Sequence, residues 1–302
     1  MDNGVSAYVF IVQKDMNMIK YLLLRIGAAI IQIFPLSTIR KFKYFFGLIY
    51  YIFSLRSTIR LIKRRRYFKK NKLLNISPLK IKLFYAQYWL ETVWLNKKIV
   101  NNPNKYVKFN ELEKIKKIKA NNEGFIIALP HQGNWEFAIP AGNEIGLKLV
   151  AVAEPLENKL ILNWFLNLRS LLGCKIILGG NNTNTYEQVK NEVNRGKAVC
   201  LLSERHVKKS GVGVNFFGKL AAFPSGPISI ALDTGCPIIP TTCIATKSGF
   251  VIHFGDPFYV PIFGNKAQSL QNGLKTLANE FEKLIKLAPN QWHSTVPIWS
   301  DE

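Results

Sequence analysis

Six short apolar runs restrict the fold of this chain more than any other feature: Phe125–Leu129, Leu147–Ala153, Lys175–Leu178, Ala198–Leu202, Pro237–Thr242 and Phe250–Phe254. Their length and β-branched content are those of buried strands. Between them, 143–146, 158–171, 184–195, 224–234 and 266–287 have the texture of helices. This alternation predicts an α/β fold with an open, mainly parallel sheet flanked by helices. No internal repeat and no low-complexity linker divides the 302 residues, enough for one large domain with a sizeable core. Residues 108–302 are therefore read as one α/β region.

The first part of the chain is different. Residues 1–120 carry 25 Lys/Arg against 5 Asp/Glu, whereas the whole chain carries 41 against 19 and a net charge of +22. Such a field attracts nucleic acid or anionic membrane. Here the basic residues are interleaved with apolar and aromatic stretches, including 21–24, 28–31 and 44–53, which fits a lipid surface and not a nucleic acid. Residues 1–18 read as an unpatterned extension. Residues 19–107 read as a basic, apolar helical region that associates with a membrane. Segments 19–34 and 42–55 are short for spanning helices, which need about 20 apolar residues, and are read as lying at the interface, with a single spanning helix over 19–34 as the alternative. The cluster from Arg56 to Lys72 would face acidic lipid. An aromatic face on a helix over 78–100, carrying Leu83, Phe84, Tyr88, Trp89 and Trp94, reads as core. Cys174, Cys200, Cys236 and Cys243 have no metal or redox spacing and read as buried free thiols.

The most chemical segment is Gly124-Phe-Ile-Ile-Ala-Leu-Pro-His-Gln-Gly-Asn-Trp-Glu136. An apolar strand delivers His131 into a turn that Pro130 and Gly133 enforce, and Asn134 can cap the helix that follows. His131 thus sits at the C-terminal mouth of a strand, where open α/β sheets hold their ligands. A neutral imidazole there, oriented by a carboxylate, can take a proton from a hydroxyl. A second strand, Ala198–Leu202, delivers Glu204, Arg205 and His206 to the same edge. Glu204 is placed to meet His131, fix its tautomer and stabilise its imidazolium. Pro224-Ser-Gly-Pro227 opens a helix whose first residues, Ser225 and Gly226, can offer backbone N–H groups to an anion. No phosphate-binding or dinucleotide loop and no Gly-x-Ser-x-Gly elbow occurs.

The segment at 131–136 resembles the His-x4-Asp/Glu signature of glycerolipid-type acyltransferases. The branch it resembles holds the late lipid A acyltransferases and the phosphatidylinositol mannoside acyltransferases. Glu204-Arg205, Phe216-Phe217-Gly218, Pro224–Pro227, Pro237–Pro240 and Trp292–Trp299 extend the resemblance, which runs from about residue 19 to the end. Glu-Arg after the strand is similar to the mannoside branch, and Glu136 in place of Asp is similar to the lipid A branch. The resemblance implies His131, Glu136 and Glu204 as catalytic residues. It implies Arg169, Arg205, Ser225 and Gly226 as substrate-binding, with Arg169 paired to Glu136 or to a phosphate. It further implies a peripheral enzyme at the cytoplasmic face of the inner membrane, with acyl-CoA as co-substrate and neither cofactor nor metal. The acceptor it implies is a glycolipid, the mannose of phosphatidylinositol mannoside. The alternatives are a lipid A precursor, acylated from acyl carrier protein or acyl-CoA, and a non-catalytic lipid-binding protein. His253 and His293 are read as structural, as is His206.

Overall fold

A computed structural model describes residues 3–121, 123–180, 184–205, 211–293, 295–299 and 301–302, with side chains from residue 16 onward except Lys97. The fold is α/β, built on a seven-stranded sheet of order β1-β9-β8-β2-β5-β3-β4. Its strands are β1 (Val107–Asn110), β2 (Phe125–Leu129), β3 (Leu149–Ala153), β4 (Lys175–Leu178), β5 (Ala198–Leu202), β8 (Ile238–Ala245) and β9 (Phe250–Phe254). All neighbours are parallel except β8 and β9. Strand β2 is central, buried along its whole length, and its alternate residues serve two cores. Ile126 and Ala128 face one side, beneath α10 (Thr185–Asn194), α11 (Gly226–Thr234) and α12 (Lys266–Leu287). Phe125, Ile127 and Leu129 face the other, against α7 (Leu112–Ala120), α8 (Ala138–Glu144) and α9 (Lys159–Leu171).

Three strands were hidden from the sequence reading: the edge strand β1 and a hairpin. β6 (Val212–Phe216) and β7 (Lys219–Phe223) form an antiparallel hairpin in which Phe216 pairs with Lys219. The two turn residues, Phe217 and Gly218, both have positive φ, 51° and 79°. That is the primed turn a tight hairpin requires, normally announced by Asn-Gly or Asp-Gly. Here a phenylalanine holds the first position because its ring is buried against Phe68 and Trp292. The helix expected at 143–146 is instead α8, which begins seven residues after His131 and ends at Glu144.

The N-terminal region is helical: α1 (Asn3–Ile33), α2 (Leu36–Ile39), α3 (Lys43–Phe53), α4 (Leu55–Lys70), α5 (Pro78–Trp94) and α6 (Lys97–Asn101). α1 takes in most of the stretch read as an unpatterned extension, and its segment Met16–Ile33 has mean hydropathy 1.3 with only 6% of its residues buried. By length and composition that segment is able to cross a membrane. Leu22, Leu23, Ile26, Ile30, Phe45, Phe46, Ile52 and Phe53 all remain exposed on α1 and α3. An apolar surface of this extent marks contact with lipid or protein. At Ser54 the chain turns through 94° into α4. α4 buries Thr58, Leu61, Arg64 and Phe68 and exposes Arg56, Lys63, Arg65, Arg66, Lys69 and Lys70. Arg64 therefore leaves the surface cluster predicted for it: it binds the Glu302 carboxylate and lies over the Trp299 ring. Arg60 likewise turns inward, to the Thr295 carbonyl. α5 ties these helices to the sheet. Gly47 of α3 rests on Leu83, where a Cβ would lie 2.7 Å from the Leu83 Cα. The buried Glu91 binds Arg40, which also reaches the Thr246 and Gly249 carbonyls beside β8 and β9.

Candidate active site

The register of β2 and β5 assembles the central pair. Leu129 is level with Leu202 in the parallel ladder. His131 and Glu204, each two residues further on, therefore leave the sheet side by side. His131 Nδ1 lies 2.7 and 2.9 Å from the two Glu204 carboxylate oxygens. Glu204 is wholly buried and His131 is 18% exposed. Burial alone would raise the Glu204 pKa, but the charge and hydrogen bond of His131, with Arg205 nearby, hold it below its ordinary value. With Nδ1–H committed to Glu204, Nε2 is the nitrogen left to exchange protons on the cleft side.

The turn bearing His131 is held from three sides. Gly133 has φ +66°, and a Cβ there would lie 1.9 Å from the Cys243 carbonyl oxygen of β8, so no other residue fits. Gly133 N–H donates to the Gln291 carbonyl and Asn134 N–H to the Cys243 carbonyl. His293 clamps both ends of the turn. Its backbone N–H donates to the His131 carbonyl, and its ring Nε2 lies 2.7 Å from the Gly133 carbonyl oxygen. Burial, first, keeps the His293 imidazole neutral, with its pKa lowered to about 4. His293 holds the turn in place, as a structural role would, but its position against the His131 turn had no trace in the sequence. His206 lies outside the described residues. His253 sits away from this site on β9, beside Asn110.

Asn134 caps the short turn Trp135–Phe137, its side chain accepting the Glu136 N–H, as predicted. Glu136 does not touch His131. It is wholly buried and bound by Arg169 of α9 through both carboxylate oxygens, at 2.6, 3.1 and 3.2 Å. Orientation of the imidazole falls to Glu204, and Glu136 instead orients Arg169.

Two cavities meet at Arg169. One is an open cleft of about 510 Å³ whose walls include His131, Tyr88, Trp89, Phe165, Arg169 and Arg205. Among the described residues the buried Arg205 Nε has no hydrogen-bond partner, which suits it to an anionic group. The other is an apolar pocket of about 90 Å³ between the sheet and α8, lined by Ile127, Leu149, Ala151 and Ile252, with Glu136 and Arg169 at its edge. Pro224 reaches the cleft wall, but Ser225 and Gly226 do not line it. They begin α11 without a side-chain cap. The aromatic face of α5, expected as core, is divided: Trp94 is buried in the core, whereas Trp89 stands half-open in the cleft. Helical spacing cannot separate core from cleft, because both bury one stripe. Burial raises the thiols, Cys174 to about 12, which disqualifies them as nucleophiles. Among the described residues no three His, Cys, Asp or Glu side chains converge on a metal position.

This geometry has counterparts. The sequence profile of the bacterial lipid A biosynthesis acyltransferases matches residues 83–300. The chain belongs to that family. It is an acyltransferase of lipid substrates, so an acyl donor and a lipid or glycolipid acceptor are its reactants. A phosphatidylinositol mannoside acyltransferase of Mycobacterium tuberculosis (strain H37Rv) is 28% identical over 227 residues, 71% of this chain and 67% of the relative. The enzyme of the same name from Mycolicibacterium smegmatis is 27% identical over 223 residues, 71% of this chain and 69% of the relative. The matched region of the family profile begins within α5 and takes in the cleft, the apolar pocket and the C-terminal clamp.

Proposed function

We propose that this acyltransferase moves a fatty acyl group from acyl-CoA to a mannose hydroxyl of phosphatidylinositol mannoside, with His131 as general base. The observation that carries the chemistry is the His131–Glu204 pair at the mouth of β2 and β5. His131 Nε2 takes the acceptor hydroxyl proton as the oxygen attacks the thioester carbonyl. The tetrahedral intermediate collapses, the C–S bond breaks, and the departing thiolate takes the proton back from the imidazolium. Buried Glu204 stabilises the imidazolium between those two transfers. The apolar pocket beside Arg169 suits the donor chain, and Arg169 and Arg205 suit the phosphates of donor or acceptor. The exposed apolar and basic N-terminal helices support work at an anionic membrane surface, on the cytoplasmic side where acyl-CoA is supplied. The mannoside acceptor rests on the two relatives. Acylation of a lipid A precursor is the second reading, supported by the family description and by Glu136 in place of Asp.

The test is acyl transfer by the purified protein in mixed micelles, with the two acceptors in competition and either acyl-CoA or acyl carrier protein as donor. Glu204→Gln keeps shape and removes charge, so kcat should fall about 10²–10⁴-fold with donor binding little changed. His131→Ala should lose at least as much while staying folded. Near-normal turnover by a folded His131→Ala protein would end the general-base assignment, and preference for the lipid A precursor would end the mannoside assignment.

A further inference from the structure

A further concavity lies beside the cleft, among the N-terminal helices. It is an open groove of about 400 Å³ between α1, α3 and α5, whose lining, which includes Leu23, Leu24, Gly27, Phe46, Trp89 and Leu90, holds no charged residue. Three features indicate what fills it. Trp89 lines both this groove and the cleft that holds His131, so the two are neighbours across one indole. The outer lips, Leu23 and Phe46, are exposed, and they continue into the exposed apolar faces of α1 and α3. The apolar pocket on the far side of Arg169, between the sheet and α8, is the one assigned above to the donor chain.

Resting on the acyltransferase reading above, we propose that this groove is the subsite for a hydrocarbon chain of the acceptor lipid. The chain stays in apolar surroundings from the bilayer to the groove, while the head group crosses Trp89 into the cleft. A lipid whose head group must reach His131 has to rise out of the bilayer. Each methylene that the rise exposed to water would weaken binding several-fold, and an apolar groove beside the cleft removes that cost. The site also sets specificity: it selects acceptors that carry a chain over the same head group in free solution.

Gly27 makes the test clean. A Cβ at Gly27 meets nothing within 4 Å, and replacing a mid-helix glycine favours the helix. Gly27→Phe therefore fills the groove without breaking the fold, and Leu24→Trp fills it from the next residue but two. Each is assayed with acyl-CoA against a diacyl acceptor in mixed micelles and against the same head group deacylated and water-soluble. The expected result is a loss of about tenfold or more in kcat/KM for the diacyl acceptor, with the soluble acceptor unchanged and vesicle binding unchanged. Equal losses on both acceptors, or none, overturn the proposal. A loss that follows donor chain length would assign the groove to the donor, and a change in oligomeric state would assign it to a second copy; both overturn it. If the wild-type protein acylates neither acceptor, the acceptor assignment above fails separately. The groove is then judged by a photoreactive long-chain phospholipid in vesicles. Crosslinks at Leu24, Ala86 or Leu90 that Gly27→Phe abolishes support a lipid-chain site. Crosslinks confined to the outer residues Ile33 and Phe53 refute it.

Discussion

Arg169→Met tests the electrostatic frame of the site. The Glu136 side chain is fully buried and Arg169 is 20% exposed. Among the described contacts Arg169 supplies the hydrogen bonds to both Glu136 oxygens. Burial pulls the guanidinium pKa down, but the Glu136 charge and hydrogen bonds push it above its ordinary value, so Arg169 keeps its charge. Removing one partner of such a pair strands a buried charge, at about 3–5 kcal/mol. Water reaching the Arg169 side places the expected loss near the lower figure, about 3 kcal/mol. That is a large share of a stability of about 5–15 kcal/mol. Replacing both partners, as Glu136→Leu with Arg169→Met, removes the stranded charge and leaves apolar groups beside an apolar pocket. It should recover most of the loss, giving a coupling of about 2 kcal/mol or more. The assay is urea unfolding of all four proteins in one detergent, followed by tryptophan fluorescence. A single variant that loses less than about 1 kcal/mol, or a double variant as unstable as the sum of the singles, would refute the reasoning. The double variant should nevertheless be a poor enzyme, because it lacks the cleft's Arg169.

Three further outcomes are expected. Lys82 is buried against the Ser54 and Ser57 hydroxyls and the Tyr50 ring, and burial lowers its pKa to about 8; native stability should therefore rise with pH between about 8 and the ordinary 10.5, and Lys82→Met should flatten that rise and gain about 1–2 kcal/mol at pH 7 in thermal or urea unfolding. The His293 pKa of about 4, against an ordinary 6.5, gives stability that is present above pH 6.5 and lost as pH falls toward 4; His293→Phe should lose that acid dependence, cost about 1–3 kcal/mol by stripping the Gly133 carbonyl of its partner, and lower kcat more than it raises KM. Vesicle cosedimentation should show preference for anionic lipid, weakening above about 0.15 M salt, with residual salt-resistant binding from α1 and α3; equal, salt-insensitive binding to neutral vesicles would reduce the α4 cations to a solvated face.

The legible parts of this protein are those governed by local pattern. Apolar runs gave β2, β4, β5 and β9 with their observed limits, and strand ends of shared direction placed Glu204 beside His131. Asn134 was readable as a cap because capping is decided within three residues. The rest depends on distant partners. Phe217 hides a primed turn because a buried aromatic cluster holds it there. Trp89 is indistinguishable from Trp94 by spacing, and only the position of α9 makes one cleft and the other core. Arg64 looks like its basic neighbours until Glu302 and Trp299 are in place. The resemblance anticipated the pairing of Arg169 with Glu136, but that Glu136 turns away from His131 follows from the direction of its short turn, which five residues of sequence do not specify.

The clamp on the catalytic turn has a consequence for the order in which this enzyme comes into being. His293 grips a carbonyl 160 positions earlier in the chain. At about 5–20 residues per second, a ribosome needs roughly 10–30 s to travel from one to the other. Throughout that interval α1 and α3, already synthesised, are free to find a lipid surface, while the His131 turn lacks two of its holds. The apolar surface of α1 and α3 thus exists before the turn is complete. The strand-end histidine is fixed last, after the apolar helices have been made.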